Sequence, residues 1–175
     1  MELTTLAALL LFLGQGRSGY DVRRLFQTTP IGIFSDSPGA IYPAFARLER
    51  AGLLTSDAQQ SGRGRRVYRR TEAGEAALTR WLLAPLGSET VERRPHEVEL
   101  RYVLIAYRLG TAEGSRFLGE AADAFARGLA QLEAFSADNQ DMGAPSLDAV
   151  ELGIRLCRTR LQWCRETEQR GKDKR

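Results

Sequence analysis

Apolar residues recur along this chain at two periods, and the places where the period changes divide it into elements. Residues 3–14, "LTTLAALLLFLG", are apolar almost throughout, the pattern of a buried helix. A glycine-rich turn follows. Ser18 then stands where a helix N-cap is expected, Asp21 falls in the first turn, and Val22, Leu25 and Phe26 form an apolar stripe. The connector "PIGIFSD" leads to a third segment, "SPGAIYPAFARLERAGLL". Ser37 and Pro38 begin a helix there, Ile41, Phe45 and Leu48 keep helical spacing, and Gly52 supplies the stop. Pro43 interrupts the pattern. An interior proline costs about 3 kcal/mol, clashes with the carbonyl four residues back (here Gly39), and biases the preceding Tyr42 away from helical geometry. A deformed first turn that aims Tyr42 outward is one expectation; packing of Tyr42 and Pro43 against the first helix is the other.

The period next shortens. Leu53 and Leu54 at one end, Val67 and Tyr68 at the other, and "QSGRG" between them predict a two-stranded hairpin with a glycine-bearing tip. Helical spacing returns in "TEAGEAALTRWL", with Thr71 as cap, Glu72 and Glu75 in the first turn, and Leu78, Trp81 and Leu82 on the apolar side. "APLGSETVERRPHE" is punctuated by proline and glycine and reads as a boundary. Three more helices are predicted beyond it, over about 95–109, about 112–135, and from near residue 146 onward. In the last, Leu147, Val150, Ile154, Cys157, Leu161 and Cys164 are spaced 3, 4, 3, 4, 3, the alternation of a coiled-coil seam. Leu152, Leu156 and Trp163 form a second stripe beside it. Two apolar faces on one helix suit docking on its own subunit through one and on a second copy through the other; a fully buried helix in a monomeric bundle is the alternative.

Composition adds constraints. Apolar content of 43% and charged content of 27% are ordinary for a globular protein, and the net charge of +3 is small. Its distribution is uneven: residues 1–85 hold 11 basic against 7 acidic side chains, whereas residues 86–175 hold 14 against 15. All the basic residues of the first part are arginines, which suit bidentate contacts to phosphate or guanine. Cys157 and Cys164, seven residues apart on one helix, stand about 10 Å apart along its axis and cannot bond to each other. With His96 as the only histidine, no paired-histidine or His/Cys metal cluster can form, and no nucleophile elbow accompanies it. Neither a metal, a cofactor nor catalysis is expected. The apolar first segment lacks a basic leader and is too short to span a bilayer, so a cytoplasmic protein without membrane contact is expected.

Three helices, a hairpin and a fourth helix within about 85 residues are the order of a winged helix-turn-helix, which makes the expected fold mainly α. In "SGYDVRRLF", "SPGAIYPAFARLERAGLL" and "RRVYRRTEAGEAALTRWL" the chain resembles the PadR family of bacterial transcriptional regulators. The resemblance implies a winged helix-turn-helix DNA-binding domain, taken as residues 1–88, and a helical dimerisation domain, taken as residues 89–175. It further implies a homodimer, usually a repressor, reading a palindromic operator in double-stranded DNA, and in some members released by a small aromatic effector. Expected DNA contacts are Ser18, Gly19, Tyr20, Ser37, Gly39, Ala40, Tyr42, Pro43 and Arg47, with Arg63, Arg65 and Arg66 at the hairpin tip suiting a narrow minor groove. Of Arg69 and Arg70, an alternating strand lets only one face DNA. The seam residues Leu147, Val150, Ile154, Cys157, Leu161 and Cys164 are the expected dimer interface, and Trp81, Tyr102, Tyr107 and Trp163 a candidate ligand pocket. Phe45 stands where the family often carries leucine, a matter of packing. The competing reading is a winged-helix module that binds protein through its apolar C-terminal face and does not bind DNA.

Overall fold

A computed structural model describes residues 3–29, 37–58 and 66–173, and the chain divides into two units, Met1–Ala84 and Pro85–Arg175. In the first, Thr4 caps α1 (Thr5–Leu13) by accepting a hydrogen bond from Ala7 N at 3.2 Å. After a turn come β1 (Arg17–Ser18), α2 (Gly19–Thr28), α3 (Pro38–Arg50), β2 (Leu54–Ala58), β3 (Arg66–Arg70) and α4 (Glu72–Leu83). Helices α3 and α4 both pack on α1. Leu10, Leu11, Ile41, Phe45, Leu48, Leu78 and Leu82 lose essentially all contact with water there, which is the main drive to fold such a unit. This is a winged helix, with β2 and β3 as the wing.

The end of α3 shows how local chemistry fixes the path. Gly52, at φ 70°, allows Leu53 N to donate to Leu48 O at 2.9 Å and Gly52 N to Glu49 O at 2.9 Å, a Schellman stop. The chain turns directly into β2, which pairs antiparallel with β3 so that Ser56 faces Tyr68 and Ala58 faces Arg66. Tyr68 is buried and stacks on Phe45 with ring centroids 4.1 Å apart, fastening the wing to α3. The departure at Phe45 therefore has a partner.

Three features differ from the sequence expectations. The sheet has three strands in the order β1-β3-β2, because β1 pairs with β3 through Arg17 and Ser18 after Gly16 turns at φ 75°. Two residues are too few to show alternation in a sequence. Helix α3 runs unbroken through Tyr42 and Pro43. Pro43 lies on the exposed face, so the amide it lacks is missed by the Gly39 carbonyl on the side where water can serve it. Finally, the stretch read as a boundary contains a short helix, α5 (Ser88–Arg93), whose Thr90 and Val91 are buried.

The second unit continues with α6 (Pro95–Leu109), α7 (Thr111–Asp138) and α8 (Ala144–Lys172). The last two form a long antiparallel hairpin in which Cβ atoms at Gly171 and Gly153 would meet Ser115 and Leu132 respectively. Its core is confined to one end: the buried residues of α7 stop at Phe125, and those of α8 begin at Ile154. Arg101 on α6 is buried over the Phe117 ring at 5.0 Å; burial lowers its pKa, and Glu97 and Glu120 oppose that shift. No helix among the described residues is long and apolar enough to cross a membrane.

Candidate nucleic-acid interface

Burial separates α3 into two faces. Ile41, Ala44, Phe45 and Leu48 point into the core, and Gly39, Tyr42, Pro43, Ala46, Arg47 and Arg50 are exposed. The exposed face carries few bulky side chains near its start. Among the described residues a Cβ at Gly39 would meet only Ser37 Oγ at 3.5 Å, so none of them requires glycine there. Ser37 Oγ is itself committed as a cap, accepting from Gly39 N at 3.2 Å, and Ala40 is half-buried. Arg47 projects from the next turn, and Arg50 donates from Nε to Ala46 O at 3.3 Å.

The Tyr42 ring lies across the start of α2. A Cβ placed on Gly19 would come within 2.6 Å of Tyr42 Cε1, so the glycine makes room for the ring. Tyr42 remains 44% exposed, and Tyr20 beside Gly19 is exposed as well. Tyr42 thus packs on α2 rather than on the first helix, and it faces partly outward from an α3 that is not broken. Ser18 is different. It is buried, donates from Oγ to Asp21 Oδ2 at 2.8 Å and accepts from Asp21 N at 3.3 Å, in a capping box. Buried Gly19 likewise offers no surface. Both position Tyr20 and Tyr42 and are removed from the direct contacts.

On the wing, Arg63 and Arg65 lie outside the described residues. Arg66 is exposed and its Nη1 lies 3.4 Å from Glu49 Oε2; Ser56 Oγ donates to the other oxygen of Glu49 at 2.5 Å. Glu49 and Ser56 were not among the expected site residues, because Glu49 meets Ser56 and Arg66 across 7 and 17 positions, separations that leave no local signal. Burial raises the Tyr68 pKa, and the nearby Glu49 charge adds to the shift. Arg69 is exposed beside Asp57 at 3.4 Å. Arg70 instead turns inward, donating from Nη1 to Leu11 O and Phe12 O at 2.9 and 3.0 Å and lying 2.9 Å from Glu75. It holds the exposed carbonyls at the end of α1 and belongs to the fold.

In the second unit the residues of the expected dimer seam pack largely within their own chain. Ile154, Leu161 and Cys164 are buried within their own chain against α7, and Cys157 Sγ donates to Phe125 O at 3.3 Å; Leu147 and Val150 are half-buried on the same side. The second stripe is the open one. Leu152 and Leu156 are 58% and 47% exposed, and Phe135 on α7 is 46% exposed. A groove of about 740 Å³ runs beside them, walled by Val91, Phe125, Leu132, Phe135, Leu156 and Cys157. Three of the four aromatic residues expected to line a ligand pocket lie in this unit. Tyr102 and Trp163 meet edge-on at 5.7 Å, Tyr107 is almost fully exposed, and Trp81 belongs to the first unit. Trp163 lines a smaller recess of about 340 Å³ with Glu99, Leu156, Thr159 and Arg160. Both cysteines are free thiols, and among the described residues no acidic, histidine or cysteine cluster could hold a metal ion.

Residues 9–80 match the model of the transcriptional regulator PadR-like family. Over 63 residues the chain is 49% identical to the transcriptional regulator Rv3488 of Mycobacterium tuberculosis (strain ATCC 25618 / H37Rv), covering 34% of this chain and 59% of that protein. The matched family and this relative are regulators rather than enzymes. The chain thus spans less than two thirds of that relative's length. Among solved structures, Bacillus subtilis PadR in complex with operator DNA is 20% identical with a TM-score of 0.41, covering 96% of this chain and 99% of that one. The same protein in complex with p-coumaric acid is 21% identical at the same TM-score, over 97% and 99%. The Vibrio cholerae virulence activator AphA is 17% identical with a TM-score of 0.40, again over 97% and 99%.

Proposed function

Because residues 9–80 match the model of the PadR-like family of transcriptional regulators, we propose that this chain belongs to that family and binds double-stranded DNA as a homodimeric regulator, with repression of a palindromic operator as its mode. The observation that carries the reading is the outer face of α3, which puts Gly39, Tyr42, Pro43 and Arg47 on one exposed surface over a rigid core. Recognition helices read base edges from their N-terminal turns. A face that starts with a glycine no packing requires lets backbone approach a groove closely. Arg47 supplies a phosphate or guanine contact. Arg66 and Arg69 on the wing, with Arg63 and Arg65, add contacts to phosphate, which position the protein without reading sequence.

Dimerisation is supported by the half of the α7–α8 hairpin that has no core. Leu156 and Phe135 border an apolar groove, Leu152 is exposed on the same helix as Leu156, and two bare helices would be marginal in water by themselves. A second copy laid over this stripe covers it, and two recognition helices about 34 Å apart then meet successive turns of one duplex face. An aromatic acid is the effector class that suits the recess beside Trp163, where Arg160, now paired with Glu99 at 3.2 Å, would take the carboxylate. Titration of tryptophan fluorescence with phenolic acids tests that assignment, and a flat response across the panel removes it.

For the main reading, a labelled duplex from upstream of the protein's own gene is titrated at two salt concentrations. Binding that tightens steeply as salt falls is expected. Absence of binding at low salt would overturn the reading in favour of a protein-interaction module.

A further inference from the structure

We propose that Glu49 is a built-in competitor for phosphate, holding the wing arginine Arg66 until DNA displaces it, so that this one carboxylate sets how strongly the wing contributes to binding. The inference rests on the DNA-binding reading and names a positioning residue within it.

Glu49 sits near the end of α3, where Schellman geometry fixes the backbone. One of its oxygens accepts from Ser56 Oγ on β2 at 2.5 Å, and the other faces Arg66 Nη1 at 3.4 Å. The two partners are unequal. The Glu49 side chain is 30% exposed and tied to the sheet, whereas that of Arg66 is 64% exposed. The carboxylate is therefore the fixed member and the guanidinium the one free to exchange. At 3.4 Å the contact is longer than an ideal charge-assisted hydrogen bond, so a phosphate able to form two short ones outcompetes it. Arg69 with Asp57 is not equivalent, because both of those side chains are largely exposed, whereas among the described residues Glu49 is held by the Ser56 hydroxyl.

This arrangement has a consequence for ion release. When Arg66 moves to a phosphate it leaves an uncompensated carboxylate behind, which reclaims part of the released cation. The native protein then shows a shallower salt dependence than its arginine content suggests. Glu49→Gln keeps the acceptor for Ser56 and deletes the charge.

The test is a cycle of four proteins, native, Glu49→Gln, Arg66→Gln and the double variant, titrated against a random-sequence duplex over a series of salt concentrations. Glu49→Gln is expected to bind about threefold tighter at low salt, the fold-change typical of an exposed ion pair. Its log–log salt slope should steepen by up to about 0.9, the share of one phosphate contact. In the Arg66→Gln background the same change should have no more than a small effect. Equal tightening in both backgrounds would show general repulsion by Glu49 and overturn the latch, as would no tightening at all. If the native protein itself binds no duplex, the DNA reading fails and the latch with it, an outcome distinct from the other two.

Discussion

Gly19 and Tyr42 act as one unit at the start of the proposed reading surface. The glycine is there for the ring, since a methyl group at that position would stand 2.6 Å from Cε1. Because the ring is half-exposed it can swing outward, so Gly19→Ala should cost under about 1 kcal/mol of stability. The same swing carries Tyr42 across the exposed face of α3. Operator affinity should therefore fall about tenfold, close to the loss in Tyr42→Ala, with the urea midpoint almost unmoved. Unchanged affinity in Gly19→Ala would mean that the orientation of Tyr42 plays no part. Cys164 provides a second residue-level test. Its burial pushes the thiol up to about 12, with Glu99 and Glu168 adding to the shift, whereas an unfolded cysteine titrates near 8.5. Between those values the unfolded state has lost a proton that the folded state keeps, so stability falls as pH rises above about 8.5. Urea unfolding at pH 7.5 and pH 10 should show the decline, and Cys164→Ala should flatten it. At pH 8 the native thiol should resist alkylation until the protein unfolds.

Among the elements, α4 is placed with the least tolerance. Thr71 caps it, accepting from Gly74 N at 3.0 Å and donating to Gly52 O at 2.7 Å, and Gly74 then passes so close to the wing that a Cβ would lie 2.0 Å from Leu53 O. The obstacle is backbone, which cannot turn aside as a side chain can. Gly74→Ala should cost about 3 kcal/mol, read as a lower denaturation midpoint, even though alanine is the better helix former. A neutral result would show that α4 shifts freely on β2. Elements of this kind were legible in the sequence because their causes are local: Ser18, Ser37 and Thr71 cap the helices expected of them, and Gly52 stops α3. What the sequence hid depends on distant partners. β1 is two residues long and exists by pairing with β3; α5 follows a proline and a glycine, yet holds through buried Thr90 and Val91; Arg70 and Arg69 look alike but reach α1 carbonyls and solvent respectively. The α8 seam shows where period stops being informative. Its 3–4 spacing does mark a packed stripe, but period alone does not say whether the opposing helix comes from the same chain, and α7 fills that place.

For the whole molecule the question is what covers the open half of the α7–α8 hairpin. If a second copy does so, a charge placed in the stripe must separate the copies without unfolding either, because Leu156 is already half-exposed in the single chain. Leu156→Glu should thus keep native helicity by circular dichroism and sediment as a monomer at micromolar concentration, where the unaltered protein sediments as a dimer. Ile154→Glu is the contrasting variant: that side chain is buried against its own α7, so it should lower stability directly. Loss of the dimer then propagates to DNA. A single recognition helix keeps its phosphate contacts but gives up the second half-site, so operator affinity should drop by 100-fold or more, on the order of two half-site mismatches at 1–3 kcal/mol each. Binding to random duplex should fall far less, and its salt slope should approach half the native value as phosphate contacts are halved. A Leu156→Glu protein that stays dimeric would place the partner surface elsewhere, and one that is monomeric yet binds operator at native strength would break the link between paired tails and paired reading helices.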